Sequence, residues 1–236
     1  MLCRVANLYV EVPATGDMES RCKAYLCEDG STADIVIDAE HYRPELYPEE
    51  LGEDLTVYLE SGWQFYGALL RFGGLMLHAS AVELDGKAYL FSGPSGMGKS
   101  THTKLWQQIF GERAQIFNDD KPALRREDGR WYAYGTPWCG KDGINQNKRV
   151  PLAGICFLKR GQENVIRRLE EKDVIGHVLY QTLYRFRAVE RLDSLLDNLS
   201  MLVREVPVFE LENLPEEAAA HLSYETMSRA AKEMGL

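Results

Sequence analysis

The chain has 236 residues with 36 acidic against 27 basic side chains, a formal net charge of −9 and a pI near 5.2. That length can bury one large core, and the acidic balance excludes a general polyanion binder, which needs a basic face to displace counterions; nucleic acid is not an expected partner. Five cysteines (Cys3, Cys22, Cys27, Cys139, Cys156) without a C-x-x-C pair signal neither a disulfide framework nor a zinc site, so reduced thiols are expected. Arg4 and Glu11 interrupt the N-terminal segment and no run reaches membrane-spanning length, which predicts a cytoplasmic protein with no membrane partner.

Residues 1–58 read as a small β-rich leader packed on a larger unit. Its short β-prone runs are Val5 to Val12, Lys23 to Cys27, Ile35 to Asp38 and Leu55 to Leu59, separated by Gly, Pro and acidic clusters. From Ser61 to Phe72 the apolar Trp63, Tyr66, Leu69 and Leu70 recur at helical spacing, and Gly73-Gly74 ends the run. Asp85-Gly86 then separates two strand-like runs, as Asp128-Gly129 does again downstream, and this dipeptide favours two-residue hairpin turns.

Directly after the first hairpin comes Gly93-Pro94-Ser95-Gly96-Met97-Gly98-Lys99-Ser100, which satisfies G-x-x-x-x-G-K-[ST] at every fixed position. A strand leads in at Ala88 to Phe91. A helix leads out from Thr101 to Phe110, with Leu105, Trp106, Ile109 and Phe110 on one face. Such a loop turns backbone N–H groups toward phosphate oxygens, adds the positive end of a helix, sends Lys99 to the outer phosphates and offers the Ser100 hydroxyl to Mg²⁺. A nucleotide, with ATP and Mg²⁺ as the working expectation, is the predicted ligand of Gly93 to Thr101.

Past that helix, Ala114 to Phe117 reads as a strand ending in Asn118-Asp119-Asp120. Magnesium bound to a triphosphate takes hard oxygen ligands, and a hydroxyl nucleophile needs a carboxylate to accept its proton, so adjacent aspartates can divide those tasks. Gly135 to Gly143, followed by Asn145, Asn147, Lys148 and Arg149, reads as a flexible phosphate-facing loop. Either Lys141, or Lys148 with Arg149, would neutralise charge on a transferred phosphoryl group. Cys139, with no neighbouring histidine in sequence, reads as a packing residue. A strand at Ala153 to Leu158, helical sequence from about 170 to 204, a strand at Pro207 to Leu211 and a helix from near Pro215 complete the chain. The two hairpins on either side of the loop leave connections too short for βαβ crossovers, so the predicted fold is α/β with a mixed, largely antiparallel sheet and flanking helices.

Over residues 75–160, the G-P-S-G-M-G-K-S loop, the N-D-D strand end and the hairpin lead-in resemble the HPr kinase/phosphorylase catalytic domain and, more remotely, ATP-dependent phosphoenolpyruvate carboxykinase. The length and pattern read as a single nucleotide-binding domain over 1–236 with a mainly helical part at 170–236, and the resemblance places the catalytic core at 75–160. It also implies that Asp119 is the general base, Asp120 its metal-side partner, Lys99 and Ser100 the phosphate and Mg²⁺ ligands, and His78 an upstream histidine of the site. Ala79 stands where the family has glycine after that histidine, and the family's segment with an acid and an arginine beyond the Asp pair is not found. The implied activity is a kinase moving the γ-phosphate to a hydroxyl of a protein, a peptide or a small molecule, with a homo-oligomer as a possible assembly. A carboxykinase-type transfer and a non-catalytic ATP sensor are the alternatives.

Overall fold

The computed structural model describes residues 1–182 and 189–236, side chains of 189–191 aside. The chain opens with a hairpin of β1 (Leu2–Val5) and β2 (Leu8–Glu11). Ala6 and Asn7 turn it with φ of 51° and 61°, so the expected single run is two strands. After α1 (Asp17–Cys22), β3 (Ile35–Val36) pairs parallel to β2 and closes a three-stranded sheet. The strand expected at Lys23 to Cys27 is instead a 3-10 turn over Lys23–Tyr25, and only Leu26 bridges to Cys3.

Leu55 to Leu59, also expected as a strand, forms the early turns of α2 (Glu53–Leu69). Its β-branched and aromatic composition loses to periodicity. Tyr58, Gly62, Phe65, Tyr66 and Leu69 recur every three or four residues and all face the interior, so the helical pattern extends back through the ambiguous run. Gly73, with φ of 71°, stops the helix after a terminal 3-10 turn.

The main sheet comprises β4 (Gly74–Met76), β5 (Ala79–Leu84), β6 (Lys87–Ser92), β7 (Ala114–Asp120), β8 (Ala123–Glu127), β9 (Arg130–Tyr134), β10 (Arg149–Arg160), β11 (Val165–Arg168) and β12 (Val208–Asn213). Its helices are α3 (Lys99–Phe110), α4 (Glu171–Gln181), α5 (Val189–Glu205) and α6 (Glu217–Glu233). The strand order is β4-β8-β9-β10-β6-β5-β7, with β12 joined to β10 and β11 to β12. Both Asp-Gly hairpins form as the sequence predicts, with Asp85 and Asp128 at φ of 51° and 48°. The twelve-residue β10 unites the two halves: Arg149 to Pro151 pair antiparallel with β9, and Leu152 to Phe157 run parallel to β6. The sheet is therefore mixed and carries helices on both faces.

Burial partitions along the strands with period two. Leu90, Ile155 and Phe157 join α4 and α5 in one core, while Tyr89, Phe91, Cys156 and Leu158 join α3 and α6 in the opposite one. Covering both faces explains why these strands are apolar throughout. A third cluster ties the N-terminal sheet to α2 and to Trp138, whose ring stacks on Phe65 at 4.6 Å.

The helical expectation for 170–204 divides into α4 and α5; its part at 183–188 lies outside the described residues. Within the described residues no helix is long and apolar enough to cross a membrane. β11 was not anticipated, because Val165-Ile166-Arg167-Arg168 carries no alternation; pairing with β12 and the Arg167–Glu210 ion pair at 2.9 Å hold it.

Candidate active site

The glycine loop leaves the C-terminal end of β6 and enters α3 at Lys99. Gly96 and Gly98 adopt φ of 77° and 94°, a backbone region that side-chain-bearing residues rarely enter, and nothing lies within 4 Å of where a Cβ would stand on either. The loop therefore presents bare backbone to open space. Lys99 is buried, and its Nζ donates to the carbonyls of Gly93 at 2.9 Å and Pro94 at 3.3 Å. Burial lowers its pKa, while the charges of Asp120 and Asp119 act to keep the ammonium charged.

The two aspartates reach the loop by a parallel crossover. β5 is antiparallel to both β6 and β7, so α3 connects two parallel strands with β5 between them. Near its end β7 carries a bulge: Val82 pairs Ile116 but Ala81 pairs Asn118, which leaves Phe117 as the extra residue. The bulge resets the alternation of Asn118, Asp119 and Asp120 relative to the strand before it. Buried Asn118 locks the end, its Nδ2 donating to the Thr136 carbonyl at 3.0 Å and its Oδ1 accepting from the Lys121 N–H at 3.2 Å.

Asp119 faces α3, where the Ser100 hydroxyl lies 3.0 and 2.9 Å from its two carboxylate oxygens. Asp120, at φ of 117°, occupies strained backbone and departs toward a separate cluster. There His78 Nε2 lies 3.2 Å from its Oδ1, and Lys121 Nζ and the Tyr58 hydroxyl reach its Oδ2. Burial opposes the charge on Asp120, but the His78 hydrogen bond and the adjacent Lys121 ammonium outweigh it and hold the carboxyl well below the usual carboxylate range. Tyr58 moves the other way. Burial first, then the Asp120 charge, keeps its hydroxyl protonated and able to donate. His78 is held in turn by Gln181, which accepts from the His78 N–H at 2.8 Å and places Oε1 3.1 Å from Nδ1.

In this geometry Ser100 neighbours Asp119 and not Asp120. Part of the segment read as a flexible phosphate-facing loop, 135–149, is bound to the sheet. Gly140 N–H donates to the Asp119 carbonyl at 2.5 Å, Asp119 N–H to Ile144 at 3.1 Å and Gln146 N–H to Phe117 at 2.8 Å, so residues 139–146 strap the outer edge of β7. Lys141 stays exposed on the wall of a cleft that Asp120 and Lys121 also line. Lys148 and Arg149 do not approach the glycine loop. Lys148 bonds Glu83 and Gln115 at the opposite end of β7, and Arg149 lies over the Tyr132 ring at 3.6 Å and pairs with Glu127 at 3.0 Å. Arg149 and Arg160 open and close one strand, roughly 36 Å apart at about 3.3 Å per residue. Arg160, at the far end, meets the loop and donates to the Gly96 carbonyl at 3.1 Å.

Tyr58, Lys121, Gln181 and Arg160 are thus site residues that sequence reasoning missed. Lys121 adjoins the Asp pair, and Arg160 ends the strand parallel to β6, so both had a local signal. Tyr58 and Gln181 had none.

On the α3 side of the loop, a cavity of about 310 Å³ is lined by Met97, Thr101, Leu105, Arg160, Asn213 and Pro215 among others. His102 borders it too. Burial pushes its pKa down to about 4, and its ring packs neutral with Nε2 3.0 Å from the Ser223 hydroxyl. The Asp120 side opens to a cleft of about 540 Å³. Among the described residues no group of three or more His, Cys, Asp or Glu side chains would hold a metal by itself. Ser100 and Asp119 supply two hard oxygens side by side, a donor set that fits magnesium when phosphate oxygens and water complete the shell.

No protein-family model matches this chain, and no curated protein matches it. Among solved structures, the Hpr(Ser) kinase/phosphatase from Coxiella burnetii aligns with a TM-score of 0.38 and 14% identity over 66% of this chain and 90% of that one. At that level of superposition nothing about activity carries over from one chain to the other.

Proposed function

We propose that this chain is a magnesium-dependent kinase that transfers the γ-phosphate of ATP to an acceptor hydroxyl. The observation that carries the reading is the division of labour at the end of β7: Asp119 beside Ser100 at the start of α3, and Asp120 turned away from it toward a cleft. Sensing alone does not require a base at the second carboxylate.

In this reading the triphosphate replaces the Gly93 and Pro94 carbonyls as the partner of Lys99, and loop N–H groups cradle its oxygens. The nucleoside extends into the cavity between Thr101, Leu105 and Pro215. Ser100 and Asp119 would hold magnesium, which would supply positive charge to offset that of the triphosphate. Asp120 orients the acceptor hydroxyl and takes its proton. Tyr58, Lys121 and His78 hold Asp120 in place, and the cationic Lys121 and Lys99 bear part of the charge that builds on the phosphoryl oxygens.

The test is calorimetric titration of ATP with and without Mg²⁺, followed by [γ-³²P]ATP labelling of a cell lysate with wild type and Asp120→Asn. Metal-dependent binding by both proteins and a labelled product from wild type alone are expected. Binding without transfer by wild type under any acceptor supply would replace the kinase by a nucleotide sensor.

A further inference from the structure

His78 falls between β4 and β5, and the end of α4 takes its N–H: the Gln181 carbonyl, one of the four that a helix leaves without an internal partner, accepts that hydrogen bond at 2.8 Å. Thr182, in extended conformation, ends the helix and donates from its hydroxyl to the Met76 carbonyl at 2.8 Å. The buried residues of α4 are Val174, Val178 and Gln181, at i, i+4 and i+7, so the stripe that seats the helix on the sheet ends on an amide. We propose that this amide is a positioning residue of the site: by gripping Nδ1 of His78 it aims the opposite ring nitrogen, Nε2, as an N–H at Asp120. Its effect on turnover rests on the kinase reading above, whereas its effect on the ring does not.

The residue type follows from the protons. A carboxylate only accepts, so the ring nitrogen 3.2 Å from Asp120 Oδ1 has to carry hydrogen. That leaves Nδ1, which is bare when the ring is neutral and bears a second hydrogen when it is charged. A carboxamide suits both states: its Oε1, 3.1 Å from Nδ1, accepts from the charged ring, and half a turn about the last side-chain bond offers Nε2–H to the neutral one. A carboxylate at 181 would serve the charged ring alone, and an aliphatic side chain neither. Enclosure keeps the amide in place. Gln181 is 6% exposed and lines, with His78, Asp120 and Lys121, a cavity of about 210 Å³, so its amide depends on a protein partner, and His78 supplies one.

The two oxygens of Asp120 keep different company, His78 at Oδ1 and both Lys121 and Tyr58 at Oδ2. A ring that turns away from Oδ1 lets the carboxylate rotate about its remaining partners, and the orientation on which proton transfer depends is lost. Gln181 is therefore felt in the rate of transfer and not in nucleotide binding, whose residues lie on the glycine loop and at Ser100 and Asp119.

The experiment is ¹⁵N NMR of the histidine ring nitrogens in wild type, Gln181→Met and Gln181→Glu, with the His78 signals among the five histidines identified by their loss in His78→Asn. Each substitution at 181 spares the backbone bond from the His78 N–H, so the side chain alone is tested. Wild type is expected to hold hydrogen on Nε2. Gln181→Met is expected to speed exchange of that hydrogen with water about tenfold and to mix the two tautomers, and Gln181→Glu to restore the wild-type Nε2 signal. With Mg²⁺, [γ-³²P]ATP and cell lysate as the source of acceptor, Gln181→Met should lower the maximal rate about tenfold at an unchanged KM for ATP, a smaller loss than that of the base itself, and Gln181→Glu should recover most of it. Should Gln181→Met fail to fold, Gln181→Asn, too short to reach Nδ1, gives the same reading. Nε2 signals that are the same in wild type and in the Met or Asn variant, or a Gln181→Glu ring as mobile as theirs, overturn the proposal. If the ring responds as expected but wild type transfers no phosphate, the positioning stands and the kinase reading falls. If wild type transfers phosphate and the ring does not respond, the kinase reading stands and the positioning falls.

Discussion

Ser100 Oγ lies 3.0 and 2.9 Å from the two carboxylate oxygens of Asp119, the closest coupling between the helix that starts at the glycine loop and the strand that follows it. The next residue, Asp120, makes no contact with Ser100 and instead meets His78, Tyr58 and Lys121. Two chemically identical neighbours thus stand in different surroundings, and mutation should separate them.

Asp119→Asn is expected to abolish the magnesium dependence of ATP binding, because it removes one of the two adjacent hard-oxygen ligands. Asp120→Asn is expected to keep that dependence and to lose phosphoryl transfer by about 10²- to 10⁴-fold, the usual range for removing a general base. Calorimetry and steady-state kinetics on the pair decide it; the opposite pattern would restore the assignment implied by the family resemblance.

Cations divide in the same way. Lys99→Met should weaken triphosphate binding most, and Arg160→Ala should weaken it less, since Arg160 touches the loop through the Gly96 carbonyl. Arg149→Ala should leave nucleotide affinity unchanged, because its partners are Tyr132, Tyr134 and Glu127. Titration of ATP into the three variants is the check, and a large loss in Arg149→Ala would contradict the placement described here.

Trp138 is fully buried, stacked on Phe65 and donating from Nε1 to the Ser61 hydroxyl at 3.0 Å. Trp138→Ala should cost about 3–5 kcal/mol in stability, the range for deleting a large buried aromatic. The loss should appear as a lower denaturation midpoint in urea with an unchanged slope.

The hairpin that feeds the glycine loop carries an ion pair with a pH signature. Arg113 grips Asp85 with Nε at 2.9 Å and Nη2 at 2.5 Å, and these hydrogen bonds hold the carboxyl below its ordinary value of 3.8. The folded state therefore binds this proton less readily than the unfolded chain. The pair's contribution is complete above pH 3.8 and is lost as pH falls through the lowered folded value. Both partners are exposed, so the contribution is small. Carboxyl-carbon NMR titration should find Asp85 below its ordinary value in wild type and returned to it in Arg113→Ala.

Much of the frame was legible because local chemistry dictates it. Asp85-Gly86 and Asp128-Gly129 set their hairpins by tolerating positive φ, and the glycine loop announced both its strand and its helix. Leu55 to Leu59 departs from its local β preference because a β-prone run of five residues is outweighed by helical burial that continues for three more turns. Lys148 and Arg149 follow a glycine-rich segment closely in sequence, but that closeness does not carry them to the glycine loop. Lys148 precedes, and Arg149 opens, a strand whose other end reaches the site.

The sequence by itself determined that a glycine-rich loop sits between a strand and a helix, that a pair of aspartates follows at a strand end, and that the sheet is mixed. These are consequences of φ preferences, turn chemistry and side-chain period, all of which act within a few residues. Only the tertiary structure decided which aspartate meets Ser100, because a bulge at Phe117 and a positive φ at Asp120 re-aim the side chains. Likewise, only it brought Tyr58 to Asp120 across 62 positions and Gln181 to His78 across 103. Contacts of that separation are fixed by how helices pack on the sheet, and no local pattern encodes them.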